Sequence, residues 1–385
     1  MVTQLQRLVA AGQSPWYDDI HRGLMKSGRL QDLVTQGIRG ATVNPTIFAK
    51  AVAGSTDYDS EIKELLGRGL GPAEIYEHLL IEDVRSAADL FRPLYDETGG
   101  ADGYASIEVS PYLAANTQGT IEEARRFFRS VDRPNVMIKV PATDAGVPAI
   151  RQLTGEGINV NITLIFGIEY YEKVMDAYIG GLQDLQTRGR SLGKVASVAS
   201  FFVSRVDTEV DKRLDALIDA EHDEARKHQL RELKGKAAIA NARLAYQHCT
   251  RKFSGEAFLR LRAAGARVQR PLWASTSTKN PAYRDVMYVE QLIGPDTINT
   301  MPQATIDAFQ DHGQVARTID RHVDEARTTM QSLATAGINI KEVTDKLQTD
   351  GIAAFSQSLE SIYSVVRHKR MLLSEDPQHV ISNAV

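Results

Sequence analysis

Lys139 stands inside an apolar run, NVMIKVPA over residues 135–142, that otherwise reads as a buried strand. An unpaired buried ammonium costs far more than one strand position returns, so such a lysine is paired, snorkels to water, or is held neutral for chemistry. A neutral lysine amine attacks a ketone, and the resulting iminium is an electron sink for the carbanion left when a neighbouring C–C bond breaks. That chemistry needs a carboxylate near the lysine to move protons and a second acid/base for the hydroxyl on the departing fragment. Glu108 in SIEVSP suits the first task, and Asp18 or Asp19 in PWYDDI suits the second. Asn44, Asn161 and Ser200 both donate and accept hydrogen bonds, as a polyhydroxylated substrate requires. Arg205 in FFVSRVD and the Ser/Thr-rich WASTSTKNPAY, with Lys279, offer a site for a phosphate.

Strands and helices must bring these residues to one place. The segments PWYDDI (15–20), IRGATVNP (38–45), GYASIEVSP (103–111), NVMIKVPA (135–142), INVNITLIF (158–166), VASVASFFV (195–203), RPLWAST (270–276) and TINTMPQAT (297–305) are eight strand candidates. Between them lie longer segments with apolar residues at helical spacing, such as 73–97 and 167–189. Strand followed by helix, repeated, predicts a (β/α)8 TIM barrel, and with no Pro/Ser-rich linker or composition break it predicts a single domain over 1–385.

Side chains alternate along a strand. Lys139 has the parity opposite to Val136, Ile138 and Val140, and Glu108 likewise opposes Ile107 and Val109. Asn161 and Thr163 oppose Val160, Ile162 and Leu164; Thr42 and Asn44 oppose Ala41 and Val43; Ser200 and Phe202 oppose Ala199 and Phe201. With the aliphatic set packed on the helices, the other set points inward and converges at the C-terminal mouth, where barrel enzymes do their chemistry. Each residue alone has a plain structural reading: Asn44 before Pro45 makes a turn, Thr163 is a good strand former, and Glu108 is a buried partner for Lys139. Their shared phase on consecutive strands favours a site.

Residues 207–264 predict two or three charged amphipathic helices inserted between the sixth and seventh strands; 314–369 predict further helices closing the fold, and 374–385 a flexible tail. A net charge of -4 gives no basic excess for a nucleic-acid partner. The lone Cys249 has no disulfide partner and no second zinc thiolate, as expected in the cytoplasm. No signal-peptide pattern or bilayer-length apolar stretch is present, so no membrane association is expected. GRGLG (67–71) lies between helices, and GRSLGKV (189–195) has Val195 where a P-loop needs Ser or Thr. The 9 histidines show no metal-ligand spacing, and His21 reads as a surface residue at a helix start, so no metal is implied.

The motifs GATVNPTIF, SIEVSP, VMIKVPAT, INVNITLIF, SVASFFVSRVD and WASTSTKNPAY, in this order, resemble those of the transaldolases, class I aldolase-type barrels of the pentose phosphate pathway. The likeness runs from SPWYDDI to GIAAFSQSLESIYSVVR. It implies that Lys139 is the Schiff-base lysine, that Glu108 with a water held near Thr163 shuttles protons, and that Asp18 is the acid/base for C–C cleavage. It further implies that Asn44 and Asn161 hold a dihydroxyacetone unit, that Ser200 and Arg205 bind hydroxyl and phosphate groups, and that Phe202 keeps water from the bound intermediate. Shorter members carry a second phosphate-binding arginine after the seventh strand; here ASTSTKNP assigns that role to Ser275 and Lys279. This stretch and the 207–264 insertion resemble the longer bacterial and plant branch.

The activity so implied is reversible transfer of dihydroxyacetone from sedoheptulose 7-phosphate to glyceraldehyde 3-phosphate, giving erythrose 4-phosphate and fructose 6-phosphate. No metal or organic cofactor is implied, and the expected state is a monomer or homodimer. A tyrosine in place of Phe202 would favour a fructose 6-phosphate aldolase releasing free dihydroxyacetone, and the presence of Lys139, Glu108 and Asp18 opposes a catalytically silent scaffold barrel.

Overall fold

A computed structural model of the chain describes residues 2–373. Its parallel strands are β1 (Gln13–Asp18), β2 (Gly40–Thr42), β3 (Tyr104–Glu108), β4 (Val136–Pro141), β5 (Val160–Ile165), β6 (Ser197–Phe202), β7 (Arg270–Ala274) and β8 (Thr297–Met301). They close in sequence order into a barrel, β8 pairing back onto β1, with helices in the connections, which is the expected (β/α)8 topology. Two of the strands whose bounds differ from the predicted ones shape the site. β1 begins at Gln13 and stops at Asp18, leaving Asp19 and Ile20 beyond it. β2 is cut short because Asn44 and Pro45 start a helix, Pro45–Gly54, whose first position suits a residue without an N–H.

Register sets the candidate residues at neighbouring levels: Asp18 pairs with Thr42, Glu108 with Lys139, Lys139 with Asn161, and Pro141 with Thr163. Near the opposite end of the barrel the fully buried Trp16 ring lies against Gly40, where an added Cβ would come within 2.5 Å of Cε2. Only glycine lets the two strands approach there.

Alternation fails once. The β5–β6 register shifts between Ile162 and Ile165, and Leu164 takes φ +58. Such a bulge re-aims the residues beside it. Leu164, expected on the outward aliphatic set, turns toward Gly351, where a Cβ would lie 2.8 Å from Leu164 Cδ2.

The segments 73–97 and 167–189 form the helices Pro72–Glu97 and Ile168–Thr187. The stretch predicted as two or three helices over 207–264 holds four: Ser204–Ala220, Glu224–Leu233, Ala237–Phe253 and Glu256–Ala263. The first is the ordinary helix after β6 and begins before the expected insertion; Gly235 and Gly255 lie at the breaks between the others. Beyond β8, Val323–Thr335 is followed by a 34-residue helix, Ile340–Leu373. This last helix straps across the C-terminal mouth. Gln348 Nε2 donates to the Ala142 carbonyl at 2.8 Å, Ser358 Oγ meets Thr46 Oγ1 at 2.8 Å, and Tyr363 packs edge-on against Tyr76 with centroids 5.9 Å apart.

The flexible tail expected at 374–385 lies outside the described residues. Among the described residues no helix is long and apolar enough to cross a membrane, and no group of three His, Cys, Asp or Glu is placed to hold a metal ion.

Candidate active site

The C-terminal mouth contains a pocket of about 280 Å³. Asp18, Lys139 and Thr163 reach it from β1, β4 and β5; Ser200, Phe202 and Arg205 from β6 and the helix that follows; Asn44, Ser275 and Lys279 from the segments after β2 and β7. Glu108 and Asn161 stand behind this wall as partners of residues that line it. The inward phase inferred from strand parity therefore converges as expected.

Lys139 Nζ lies 3.0 Å from Glu108 Oε2 and 5.5 Å from the centre of the Phe355 ring. Burial pushes the Glu108 carboxyl up, the Lys139 ammonium pulls it down, and Asp18 adds a smaller upward push. Glu108 Oε2 is off hydrogen-bond alignment with the lysine, and Thr163 Oγ1 is buried without a hydrogen-bond partner. A carboxyl that binds its proton more tightly than usual, in contact with an amine, is suited to passing protons.

The two adjacent aspartates are sorted by strand geometry. Asp18, the last residue of β1, lines the pocket, and its Oδ1 accepts from Thr42 Oγ1 at 2.8 Å. Asp19 is buried apart from that wall, with Oδ1 unpartnered and Oδ2 3.5 Å from His21 Nε2. His21 caps the helix Arg22–Lys26 by accepting the Leu24 N–H on Nδ1, so it is half-buried rather than simply a surface residue. Burial lowers its pKa, and burial followed by the Asp18 charge raises that of Asp19 to about 7. Asp19 is therefore partly protonated near neutral pH.

An unfolded aspartate titrates near 3.9, so between about pH 4 and pH 7 the folded chain holds a proton that the unfolded chain has lost, and stability falls as pH rises through that window. Asp19→Asn removes this titration. The melting temperature of the variant relative to the parent is expected to rise between pH 5 and pH 8, by an amount reflecting up to about 2–3 kcal/mol. A pH-independent difference between the two melting curves would contradict it.

Polar side chains below the pocket form a short chain. Ser200 Oγ donates to Asn161 Oδ1 at 2.7 Å, and Asn161 Nδ2 donates to Ser106 Oγ at 3.1 Å. Both ends of the fully buried Asn161 amide are engaged, which fixes the Ser200 hydroxyl that faces the pocket. Asn44 spends Oδ1 on the helix start, accepting from Thr46 N at 3.1 Å and Ile47 N at 3.4 Å, and so keeps its NH2 for other partners.

On the opposite wall the Arg205 guanidinium carbon sits 5.3 Å from the Phe202 ring centre, and Phe202 stacks against Phe166 at 5.0 Å. Among the described residues Arg205 makes no salt bridge, which leaves its donors free for an anion. Ser275 adopts φ +56, a conformation that costs a non-glycine residue about 1–3 kcal/mol and clusters at functional sites. Its carbonyl accepts the Ser204 N–H at 3.0 Å.

Sequence reasoning left out Ser277, Thr300 and Phe355, all of which line the pocket. Thr42 had been noted only for its parity. The parity argument would have missed Thr300 in β8, which shares its phase with the aliphatic Ile298; nothing local marks Phe355, which arrives on the last helix.

Residues 15–366 match the family model described as Transaldolase/Fructose-6-phosphate aldolase. The chain is 46% identical over 377 residues to "Transaldolase 2" of Nostoc sp., covering 97% of this chain and 99% of that protein. It is 47% identical over 360 residues to "Transaldolase 2" of Streptomyces avermitilis (93% and 95%) and 46% identical over 364 residues to "Transaldolase" of Thermobifida fusca (94% and 97%). With a closed eight-stranded barrel and a lysine–glutamate pair at its mouth, the chain belongs to the transaldolase/fructose-6-phosphate aldolase family.

Proposed function

We propose that the chain is a transaldolase, a transferase that moves a dihydroxyacetone unit reversibly from sedoheptulose 7-phosphate to glyceraldehyde 3-phosphate, yielding erythrose 4-phosphate and fructose 6-phosphate. The observation that carries this reading is the Lys139–Glu108 ion pair at the mouth of the barrel, in the same pocket as Asp18 and the free cation of Arg205. Neutral Lys139 attacks the ketone carbon, and water leaves as the iminium forms; Glu108, helped by a hydroxyl partner at Thr163, carries the protons. Asp18 takes the proton from the hydroxyl beyond the breaking C–C bond, whose electrons pass into the iminium to make an enamine. The aldehyde product departs, a second aldehyde is attacked by the enamine, Asp18 returns its proton, and hydrolysis releases Lys139.

Asn44, and Ser200 oriented by Asn161, hold the hydroxyls of the three-carbon unit; Arg205, Ser275 and Lys279 hold phosphate. Phe202 and Phe355 shield the enamine, which must outlive the exchange of aldehydes. The chemistry asks for no metal or organic cofactor, and a lone buried thiol pushed up to about 12 by burial suits a cytoplasmic protein.

The test is to supply both substrates and follow erythrose 4-phosphate and fructose 6-phosphate together. Equal formation of the two products, with little free dihydroxyacetone, is expected. Stoichiometric release of dihydroxyacetone without an acceptor would instead make the chain an aldolase.

A further inference from the structure

The helix Ser204–Ala220 carries Arg205 and the buried Asp207 in its first turn and a second buried aspartate, Asp211, one turn further on. Residues four apart share a helix face, and these two make matching bonds. Asp207 accepts from the Ala238 N–H at 2.7 Å with Oδ1 and from the Tyr288 hydroxyl at 2.8 Å with Oδ2. Asp211 accepts from the Gly235 N–H at 2.9 Å with Oδ1 and from the Tyr283 hydroxyl at 2.5 Å with Oδ2.

In each case one oxygen grips the start of the inserted helix Ala237–Phe253, and the other grips a tyrosine in or just after the segment that follows β7. Gly235 fits this arrangement: it adopts φ +70, and a Cβ would fall 2.7 Å from Cζ of Tyr283. The segment after β7 delivers Ser275, Ser277 and Lys279 to the pocket. Its other side-chain bonds include short-range ones, Thr278 Oγ1 to the Arg284 and Asp285 carbonyls at 3.0 Å and Asn280 Oδ1 from Ala282 N at 2.9 Å. Its first residue is tied to the same helix through Ser204, whose hydroxyl is 3.0 Å from that of Ser275.

We propose that Asp207 and Asp211 are positioning residues for the phosphate end of the site. Through Tyr288 and Tyr283 they clasp segment 275–286 so that Ser275, Ser277 and Lys279 face the same phosphate as Arg205, with the inserted helices as the fixed frame. This rests on the sugar-phosphate reading of the pocket and extends it to a specificity device: the clasp acts on substrates through their phosphate, and an aldehyde without one does not sense it.

In Tyr283→Phe the ring stays and one hydroxyl is lost; Asp211→Ala removes the carboxylate, and Asp211→Asn restores an acceptor. Because the two half-reactions are separate, kcat/KM for the acceptor reports only the attack of the enamine form on that aldehyde. For Tyr283→Phe and Asp211→Ala, kcat/KM with glyceraldehyde 3-phosphate is expected to fall about tenfold, chiefly through KM, while the value for unphosphorylated glyceraldehyde stays within about twofold. Asp211→Asn is expected to recover part of the loss. Equal losses on the two acceptors, or no loss on either, would overturn the proposal.

Amide hydrogen exchange of the same full-length variants gives a reading that does not depend on turnover. Faster exchange confined to 275–286 supports the clasp, and unchanged exchange there overturns it. If the parent chain transfers nothing, the functional reading fails, and the exchange experiment still decides the clasp.

Discussion

Lys139→Met abolishes turnover, by more than about 10⁴-fold, while the barrel still folds. Methionine fills a lysine's buried stem with an unbranched side chain of similar length but has no amine to form an iminium. The partner left behind makes the variant informative in a second way. Glu108 is buried and already titrates high, and the Lys139 charge 3.0 Å away is what opposes that rise. Without it the carboxyl moves higher still. A folded-state pKa raised above the unfolded value means that stability falls as pH increases from the unfolded pKa, about 4.3, toward the folded one. The variant should therefore melt closer to the parent at pH 5 than at pH 8, with kcat undetectable at both. Activity within about tenfold of the parent would remove Lys139 from the mechanism.

Asp18→Asn separates imine formation from C–C cleavage. Asparagine keeps an oxygen to accept from Thr42, which holds Asp18 Oδ1 at 2.8 Å, so position is retained and basicity is lost. The expected fall in kcat is about 10²–10⁴-fold, the range for removing a positioned acid/base. Reduction in the presence of fructose 6-phosphate should then trap the intact six-carbon sugar phosphate on the protein, where the parent traps the three-carbon fragment. Asp19→Asn, altered at the neighbouring aspartate outside the pocket wall, should keep the parent's kcat. Three-carbon adduct formed by Asp18→Asn at the parent's rate would assign the acid/base role elsewhere.

Much of the site was legible because strand alternation is a local property. Lys139, Glu108, Asn161, Thr163 and Ser200 each stand on the polar phase of an otherwise aliphatic strand, and parallel register then brings Glu108, Lys139 and Asn161 side by side. Parity stopped short of telling which inward residue meets solvent and which supports a neighbour. Asn161 looked like Ser200 in sequence, yet it lies beneath Ser200 with both amide atoms bonded.

From the residues alone Asp18 and Asp19 were equivalent and only the family resemblance favoured Asp18; the strand ends at Asp18 and leaves Asp19 outside the barrel's alternation. The bulge at Leu164 depends on how β5 meets β6 and the last helix, and no residue within β5 announces it. Phe355 was invisible for a related reason: the helix carrying it is an ordinary amphipathic segment, and only long-range packing lays it over the mouth. The inserted helices were correctly sensed as charged and amphipathic. The stretch 207–264 holds four helices rather than two or three because the ordinary helix after β6 runs into it with the same pattern.

The central claim is a covalent one: the ketone of the substrate becomes an iminium on Lys139. Incubation with fructose 6-phosphate, reduction with borohydride, digestion and mass mapping tests it directly. The expected result is a dihydroxyacetone-sized adduct on the peptide that contains Lys139, and none on the same peptide of Lys139→Met. No adduct on the Lys139 peptide, under conditions that trap one on another transaldolase, would contradict the account and leave Lys139 and Glu108 as a structural ion pair.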